Sequence, residues 1–222
     1  MTVHVRTWPA DEWVVQVASF IVEALPREGS VVLTGGTAAE RIYPELADHG
    51  EDWGELDVFF SDERCVPPEH GASNFGMAQR LLLEHIRPRS VHRMRGEADP
   101  QLAAADYEAV VRRTAPNGFT MTLLGLGADG HIASLPPGAP ALASERAAEW
   151  VHRPDGMRGI TLTPKALLSS RQVLLIVEGR SKADAVWRFL RGEEPVSQCP
   201  VRLLLDHPDV ILLADTEATS RL

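Results

Sequence analysis

The sequence predicts an α/β protein built on a mainly parallel β-sheet. Short runs rich in Val, Ile and Leu, as expected for strands buried on both faces, alternate with segments of helical period. Turn residues or charges bound each apolar run. Because the chain has 222 residues, ordinary globular composition and no internal repeat, we expect one domain spanning residues 1–222.

The individual elements follow from the positions of apolar and turn residues. A helix is predicted over residues 11–25, where one face is apolar and Pro26 and Gly29 end the pattern. The predicted strands are Ser30–Thr34, Leu56–Phe60, Phe119–Leu124, Gln172–Val177 and Asp209–Leu213. The other predicted helices are 38–48, 73–86, 99–114, 181–191 and 199–205.

Residues 135–160 have the weakest pattern. The stretch contains LPPGAP and PDGMRG, which predict an irregular loop around a short element. Two short strands, Glu149–His152 and Gly159–Thr163, are compatible with the pattern.

The composition narrows the classes of partner. A formal net charge of −9 disfavours binding of nucleic acid, which proteins hold through clustered Lys and Arg. The same charge is compatible with binding of a small anionic ligand. Only Cys65 and Cys199 are present, far apart, so we expect neither a disulfide framework nor a zinc site. No targeting segment or apolar run of membrane-spanning length is seen, so we expect no membrane association and a cytoplasmic location.

Four polar or glycine-rich segments follow predicted strands. They are TGGTAAE at 34–40, SDER at 61–64, GLGADGHIASL at 125–135 and EGRSKAD at 178–184. In open α/β sheets ligands bind beyond the carboxyl ends of the strands. We therefore expect these segments to surround one site.

The first segment is a candidate anion site. Gly35 and Gly36 permit close approach of the backbone, and Thr37 and Glu40 have the spacing of a capping box that opens a helix. Amide groups at such a helix start can hold phosphate. The alternative is an ordinary structural turn.

The last segment carries a cation where a helix should begin. Ser181 and Asp184 repeat the capping-box spacing, and Lys182 falls in the first helical turn. The helix dipole disfavours a cation there unless it faces an anion. A phosphate-binding lysine and a solvated surface lysine both fit.

The second segment places charges directly after an apolar strand. Arg64 suits bidentate binding of phosphate, and Asp62 could orient either that guanidinium or a histidine. A solvated loop is the plain alternative.

The third segment is the richest in chemistry. Three glycines at positions 125, 127 and 130 form a loop in which Asp129 and His131 can face a ligand. Histidine exchanges protons near neutral pH, which makes His131 a candidate general base; a structural histidine is the alternative. No HExxH, P-loop or dinucleotide-binding GxGxxG motif occurs, so we expect no metal and no organic cofactor.

Taken together and in this order, the four segments resemble the 6-phosphogluconolactonase family and its relatives, the glucosamine-6-phosphate deaminases, over essentially the whole chain. The segments that resemble the lactonase branch are SDERCVP, SNFGMAQ at 73–79, GLGADGHIASL, ITLTPKAL at 160–167 and VEGRSKADAV at 177–186. The deaminase branch typically continues GHIAFNEPG, with a Glu that assists ring opening. This chain reads GHIASLPPG and has no carboxylate there.

The resemblance implies a Rossmann-like, doubly wound sheet with helices on both faces, as in glucosamine-6-phosphate deaminase. It also implies hydrolysis of 6-phospho-D-glucono-1,5-lactone in the oxidative pentose phosphate pathway, without a covalent intermediate. His131 would activate water, and either Asp129 or Asp62 would orient it. The residues that would hold the phosphate are Gly35, Gly36, Thr37, Arg64 and Lys182.

The chain departs from the lactonase pattern at several positions. Ile132 stands where Thr is usual, Pro136 where Phe is usual, and Ala39 where a Pro is common. Gly159 stands where an Arg usually precedes ITLT. Arg158 is a candidate replacement from one position earlier, although a shift of one residue reverses side-chain direction on a strand.

Other functions remain open at this point. A deaminase or isomerase of amino sugar phosphates would release ammonia, and a noncatalytic sugar-phosphate sensor would bind 6-phosphogluconate without turnover. A purely structural protein would not need polar or glycine-rich segments with reactive side chains after four of its strands. The expected partner is a small sugar phosphate lactone, and the expected assembly is a monomer or a small homo-oligomer.

Overall fold

A computed structural model of the protein describes residues 3–222. The strands are β1 (His4–Trp8), β2 (Gly29–Leu33), β3 (Leu56–Phe60), β4 (Asp62–Arg64), β5 (Ser90–Val91), β6 (Met121–Gly125), β7 (Ala148–His152), β8 (Arg158–Leu162), β9 (Gln172–Val177) and β10 (Val210–Asp215). The α-helices are α1 (Trp13–Ala24), α2 (Thr37–Asp48), α3 (Asn74–Ala78), α4 (Pro100–Thr114), α5 (Pro164–Leu167) and α6 (Ala183–Arg191).

Seven strands form the central sheet, in the order β1-β10-β9-β6-β2-β3-β5. Every neighbouring pair in this sheet is parallel, which confirms the predicted class. The strand order reverses between β2 and β6. In doubly wound sheets, the crevice at such a reversal is where ligands bind.

Two hydrophobic cores cover the two faces of this sheet. Side chains alternate along β2, so that Val31 and Leu33 belong to one core and Val32 to the other. The first core includes Trp13 of α1 and Ile42 of α2, and the second includes residues of α4 and α6. Helices therefore lie on both faces, as predicted for a doubly wound sheet.

A second, antiparallel sheet has the order β4-β8-β7. It confirms the two short strands that were compatible with the sequence pattern after residue 135. In β4, Asp62 lies opposite Thr161 and Arg64 opposite Gly159. Residues 62–64 were predicted as a segment that follows a strand, but they form a strand of their own, because β8 supplies its backbone partners.

Several predicted helices differ in type or extent. The helix predicted over 73–86 is α3 followed by a π-helical turn, Gln79–Leu83. The helix predicted over 181–191 is a 3-10 turn, Arg180–Lys182, followed by α6. The one predicted over 199–205 is the 3-10 helix Pro200–Asp206. Strands β1 and β5 were not predicted; β1 is largely exposed and β5 has two residues.

Candidate active site

A cavity lies at the carboxyl ends of β2, β6 and β9, at the strand-order reversal. Its empty volume, counted with the open solvent at its mouth, is about 690 Å³. All four sequence segments contribute to it. The lining residues from these segments are Thr34, Gly35, Gly36, Thr37, Ala38, Asp62, Arg64, Gly125, Leu126, Gly127, His131, Ala133, Glu178 and Lys182.

His131 and Asp129 form a pair at this cavity. Asp129 Oδ1 lies 2.6 Å from His131 Nδ1 and accepts the backbone N–H of His131 at 3.1 Å. The hydrogen bond from the His131 side chain lowers the pKa of Asp129 to about 2. An ionised carboxylate only accepts hydrogen bonds, so Nδ1 carries the hydrogen. The Nε2 atom of a neutral His131 is then left with a free lone pair.

The loop that carries this pair requires glycine at two positions. A Cβ atom on Gly127 would lie 2.1 Å from His131 Nδ1. Gly130 has φ of +90°, which favours glycine. The loop closes on itself through a hydrogen bond from Gly127 N–H to the His131 carbonyl at 2.8 Å.

Asp62, the other candidate for orienting the histidine, has different partners. Its carboxylate is buried and accepts hydrogen bonds from Ser134 Oγ at 2.6 Å and Ser61 Oγ at 3.1 Å. Arg153 Nη1 lies 3.5 Å from its Oδ2. Of these two carboxylates, the one in hydrogen-bond contact with the His131 ring is that of Asp129.

The first glycine loop opens helix α2 without a side-chain cap. The predicted capping box is wrong: Gly36, with φ of +90°, is the N-cap, Thr37 begins the helix, and no side chain caps it. The backbone N–H of Glu40 bonds to the Gly36 carbonyl at 3.0 Å, as in any first helical turn. The uncapped amides of the helix start and the Thr37 hydroxyl remain at the cavity.

The capping box predicted at the last segment is also wrong. Ser181 lies within the 3-10 turn, Lys182 is the N-cap of α6, and no side chain caps that helix. Asp184 pairs with Arg221. Lys182 nevertheless lines the cavity, as the phosphate-binding prediction requires.

Arg64 and Lys182 are the cavity cations without an ionic partner. Neither forms an ion pair with a carboxylate anywhere in residues 3–222. Arg64 Nη1 donates to the Ala72 carbonyl at 2.7 Å, and its buried Nε has no partner in the same range. By contrast, the carboxylate of Glu178 is paired with Arg41. The free positive charge at this cavity therefore comes from Arg64 and Lys182.

Glu63 points away from the cavity, because side chains alternate along β4. Its carboxylate accepts hydrogen bonds from the backbone N–H groups of Arg64 at 2.7 Å, Asn74 at 2.8 Å and Phe75 at 2.8 Å, and from Ser73 Oγ at 2.9 Å. Burial raises the pKa of Glu63, and these hydrogen bonds act in the opposite direction. Glu63 fixes the start of α3 to β4.

Arg158 is not among the residues that line the cavity. Its side chain is exposed. Gly159 lies opposite Arg64, and Arg158 is one position before Gly159, so the Arg158 side chain is on the other face of the β4-β8-β7 sheet. The cavity instead contains Arg153, whose side chain is only 11% exposed. Arg153, Asn74 and Glu178 were not singled out from the sequence, although the segments SNFGMAQ and EGRSKAD contain Asn74 and Glu178. For Arg153 the available signal was the PDG turn that follows it, because such a turn can fold a strand back as a hairpin.

Residues 3–222 contain no group of three or more His, Cys, Asp or Glu side chains placed to share a metal ion. Within the same residues, no helix combines the length and the apolar character needed to cross a bilayer.

Comparison with known proteins gives consistent matches. The family described as glucosamine-6-phosphate isomerases/6-phosphogluconolactonase matches residues 9–212. The chain is 36% identical over 210 residues to the 6-phosphogluconolactonase of Mycobacterium tuberculosis, covering 86% of this chain and 84% of that one. It is 33% identical over 204 residues to the 6-phosphogluconolactonase of Synechocystis, covering 88% and 85%. Among solved structures, 6-phosphogluconolactonase from Trypanosoma cruzi superposes with a TM-score of 0.88 at 25% identity, covering 100% of this chain and 97% of that one.

Proposed function

Because this chain belongs to the glucosamine-6-phosphate isomerase and 6-phosphogluconolactonase family, we propose that it hydrolyses 6-phospho-D-glucono-1,5-lactone to 6-phospho-D-gluconate. One observation carries the proposal. The cavity is lined by His131, whose Nδ1 is paired with the Asp129 carboxylate, and by two cations that lack carboxylate partners in residues 3–222, Arg64 and Lys182. An enzyme that hydrolyses a phosphorylated lactone needs a general base for the water and an anion site for the phosphate.

His131 acts as the general base. Asp129 holds Nδ1–H, so Nε2 accepts a proton from water while the water oxygen bonds to the lactone carbonyl carbon. The tetrahedral intermediate then collapses as the bond from that carbon to the ring oxygen breaks. The protonated Nε2 returns its proton to the ring oxygen, which becomes a hydroxyl. The cycle consumes one water and leaves His131 unchanged.

The phosphate is held at the part of the cavity that is lined by Arg64 and Lys182. Arg64 and Lys182 supply positive charge, and the Gly35–Gly36–Thr37 turn supplies backbone amides at the start of α2. Holding the remote phosphate places the lactone for attack, so that binding energy serves the chemical step. None of these roles requires a metal or an organic cofactor.

The lactone reaction is favoured over the deaminase reaction of the same family. The residue three positions after His131 is Ser134, which is buried and bonded to Asp62. The segment that follows, Leu135 to Gly138, offers no carboxylate to assist opening of an amino sugar ring.

We further propose a cytoplasmic location and a monomer or small homo-oligomer. The two free thiols, Cys65 and Cys199, suit a reducing compartment.

The test is a comparison of three substrates with purified protein. Hydrolysis of 6-phosphogluconolactone should exceed spontaneous opening many-fold, and unphosphorylated glucono-1,5-lactone should react with a much lower kcat/KM. Glucosamine 6-phosphate should release no ammonia. Ammonia release without lactone hydrolysis would assign the chain to the deaminase reaction, and binding of 6-phosphogluconate without either turnover would make it a sensor.

A further inference from the structure

The hairpin between β7 and β8 brings a second arginine, Arg153, to the cavity that Arg64 and Lys182 also line. The backbone N–H of Arg153 bonds to the Met157 carbonyl at 2.9 Å, so Arg153 lies at the end of the hairpin. Its side chain then folds back over β8. A Cβ atom on Gly159 would lie 3.1 Å from Arg153 Cδ and 3.4 Å from Cγ. Gly159 thus provides the surface on which the Arg153 side chain lies.

The register of the antiparallel sheet β4-β8-β7 places the Arg153 side chain beside Arg64. Gly159 is directly opposite Arg64, and residues opposite each other in antiparallel strands share a face. Arg153 therefore crosses the face that carries Arg64 and Asp62, the face that lines the cavity. Arg158 lies on the other face.

The Arg153 guanidinium is held at two of its three nitrogens. Nε donates to Asp155 Oδ2 at 3.1 Å, and Nη1 donates to Ser134 Oγ and lies 3.5 Å from Asp62 Oδ2. Within residues 3–222, Nη2 has no hydrogen-bond partner. The side chain is thus fixed in direction while two N–H donors remain free at the cavity wall.

On these grounds, and resting on the proposed function, we propose that Arg153 is a ligand of the substrate phosphate, acting with Arg64. Two neighbouring guanidinium groups at one cavity wall are best satisfied by an anion between them. The carboxylates of Asp62 and Asp155 orient the fork of Arg153 and leave its Nη2 edge for the ligand. Gly159 leaves room for this arrangement, because a Cβ there would press on Cγ and Cδ of Arg153.

The experiment compares Arg153→Ala and Arg153→Lys with Arg158→Ala as the matched control. Calorimetric titration with 6-phosphogluconate should give a Kd raised about 10-fold to 100-fold for Arg153→Ala, as for loss of a charge-assisted hydrogen bond, and less than about twofold for Arg158→Ala. Arg153→Lys keeps the charge without the fork, so its Kd should lie between. Thermal unfolding checks that each variant is folded.

Kinetics with two lactones separates a phosphate contact from a structural one. Arg153→Ala should raise KM for 6-phosphogluconolactone and leave kcat/KM for unphosphorylated glucono-1,5-lactone within about twofold. An equal loss on both lactones would overturn the proposal, since it would show that Arg153 only supports Asp62. A second variant, Gly159→Ala, removes no charge and should also raise the Kd. When Gly159→Ala is added to Arg153→Ala, the Kd should rise by less than about twofold further.

The outcomes keep the two proposals apart. Active wild-type protein with unchanged binding in Arg153→Ala would overturn the role of Arg153 alone. Inactive wild-type protein that binds 6-phosphogluconate, with weaker binding in Arg153→Ala, would overturn the lactonase proposal and support the role of Arg153 in phosphate binding.

Discussion

The guanidinium of Arg188 binds the backbone of the residue whose carboxylate contacts His131: Arg188 Nη1 donates to the Asp129 carbonyl at 3.0 Å. Arg188 is itself fixed, because Nε donates to Glu194 at 2.9 Å and Nη2 to the Gln198 carbonyl at 2.9 Å. Helix α6 thereby holds the glycine loop in place. The 3-10 helix that follows adds a hydrogen bond from Val201 N–H to the Gly130 carbonyl at 2.8 Å.

We predict that Arg188→Met lowers kcat about tenfold and leaves KM nearly unchanged, because the His131–Asp129 pair loses one of its supports. Arg188→Lys should recover part of the loss, since one donor returns. The measurement is steady-state kinetics on protein shown to be folded by circular dichroism. Arg191→Met, an exposed arginine on the same helix, is the control. An unchanged kcat in folded Arg188→Met would mean that the loop holds its shape without α6.

We predict that Asp129→Asn lowers kcat by about 10²-fold to 10⁴-fold, the range reported by general-base and orienting residues. Asn can donate to Nδ1 and so favour the tautomer in which Nε2 carries the hydrogen, which cannot accept a proton from water. KM should change little, because Asp129 does not contact the phosphate side. Asp11→Asn, at an exposed position, is the control. Full activity in Asp129→Asn would show that His131 needs no ionised partner.

We predict that Lys182→Ala raises KM for 6-phosphogluconolactone about tenfold and changes kcat much less. In the proposed mechanism the lysine is a point charge for the remote phosphate and takes no part in the proton transfers. Raising the salt concentration should narrow the gap between the two proteins, since ionic contacts are screened. Lys165→Ala removes an exposed lysine paired with Glu145 and should behave as wild type. A fall in kcat alone would place Lys182 near the reacting bond.

We predict that Glu63→Gln lowers the free energy of unfolding by about 1–3 kcal/mol, the cost of mispaired buried polar groups. Three backbone N–H groups converge on the Glu63 carboxylate, and the amide nitrogen of Gln would face some of these donors. Urea denaturation at neutral pH measures the change. Glu69→Gln, an exposed neighbour, should cost less than about 0.5 kcal/mol. A neutral Glu63→Gln would mean that the start of α3 rearranges.

The parallel sheet could be predicted because its inner strands are strongly apolar. Strands β3 and β9 begin and end where the sequence placed them, since both are buried on both faces and bounded by charge or turn residues. Strand β1 could not be found in the same way. Four of its five residues are exposed at the sheet edge, so it has no apolar run, and it pairs with β10 from the far end of the chain.

The cavity could be predicted in outline because the carboxyl ends of parallel strands meet at one edge. Its second arginine, Arg153, could not, because its position depends on which residues pair across a hairpin. Arg153 reaches the cavity only through the turn that sets β7 against β8, and through the space left by Gly159. Distinguishing Asp129 from Asp62 as the partner of His131 likewise required the loop geometry that the glycines permit.

The role of His131 can be measured by the rates at which wild-type protein and His131→Ala hydrolyse 6-phosphogluconolactone, after subtraction of spontaneous opening. His131 is 34% exposed, so the variant should fold with nearly unchanged stability. We predict rapid turnover by the wild type and a kcat lower by about 10²-fold to 10⁴-fold in the variant. Equal rates in two folded proteins would contradict the assignment of His131 as the general base.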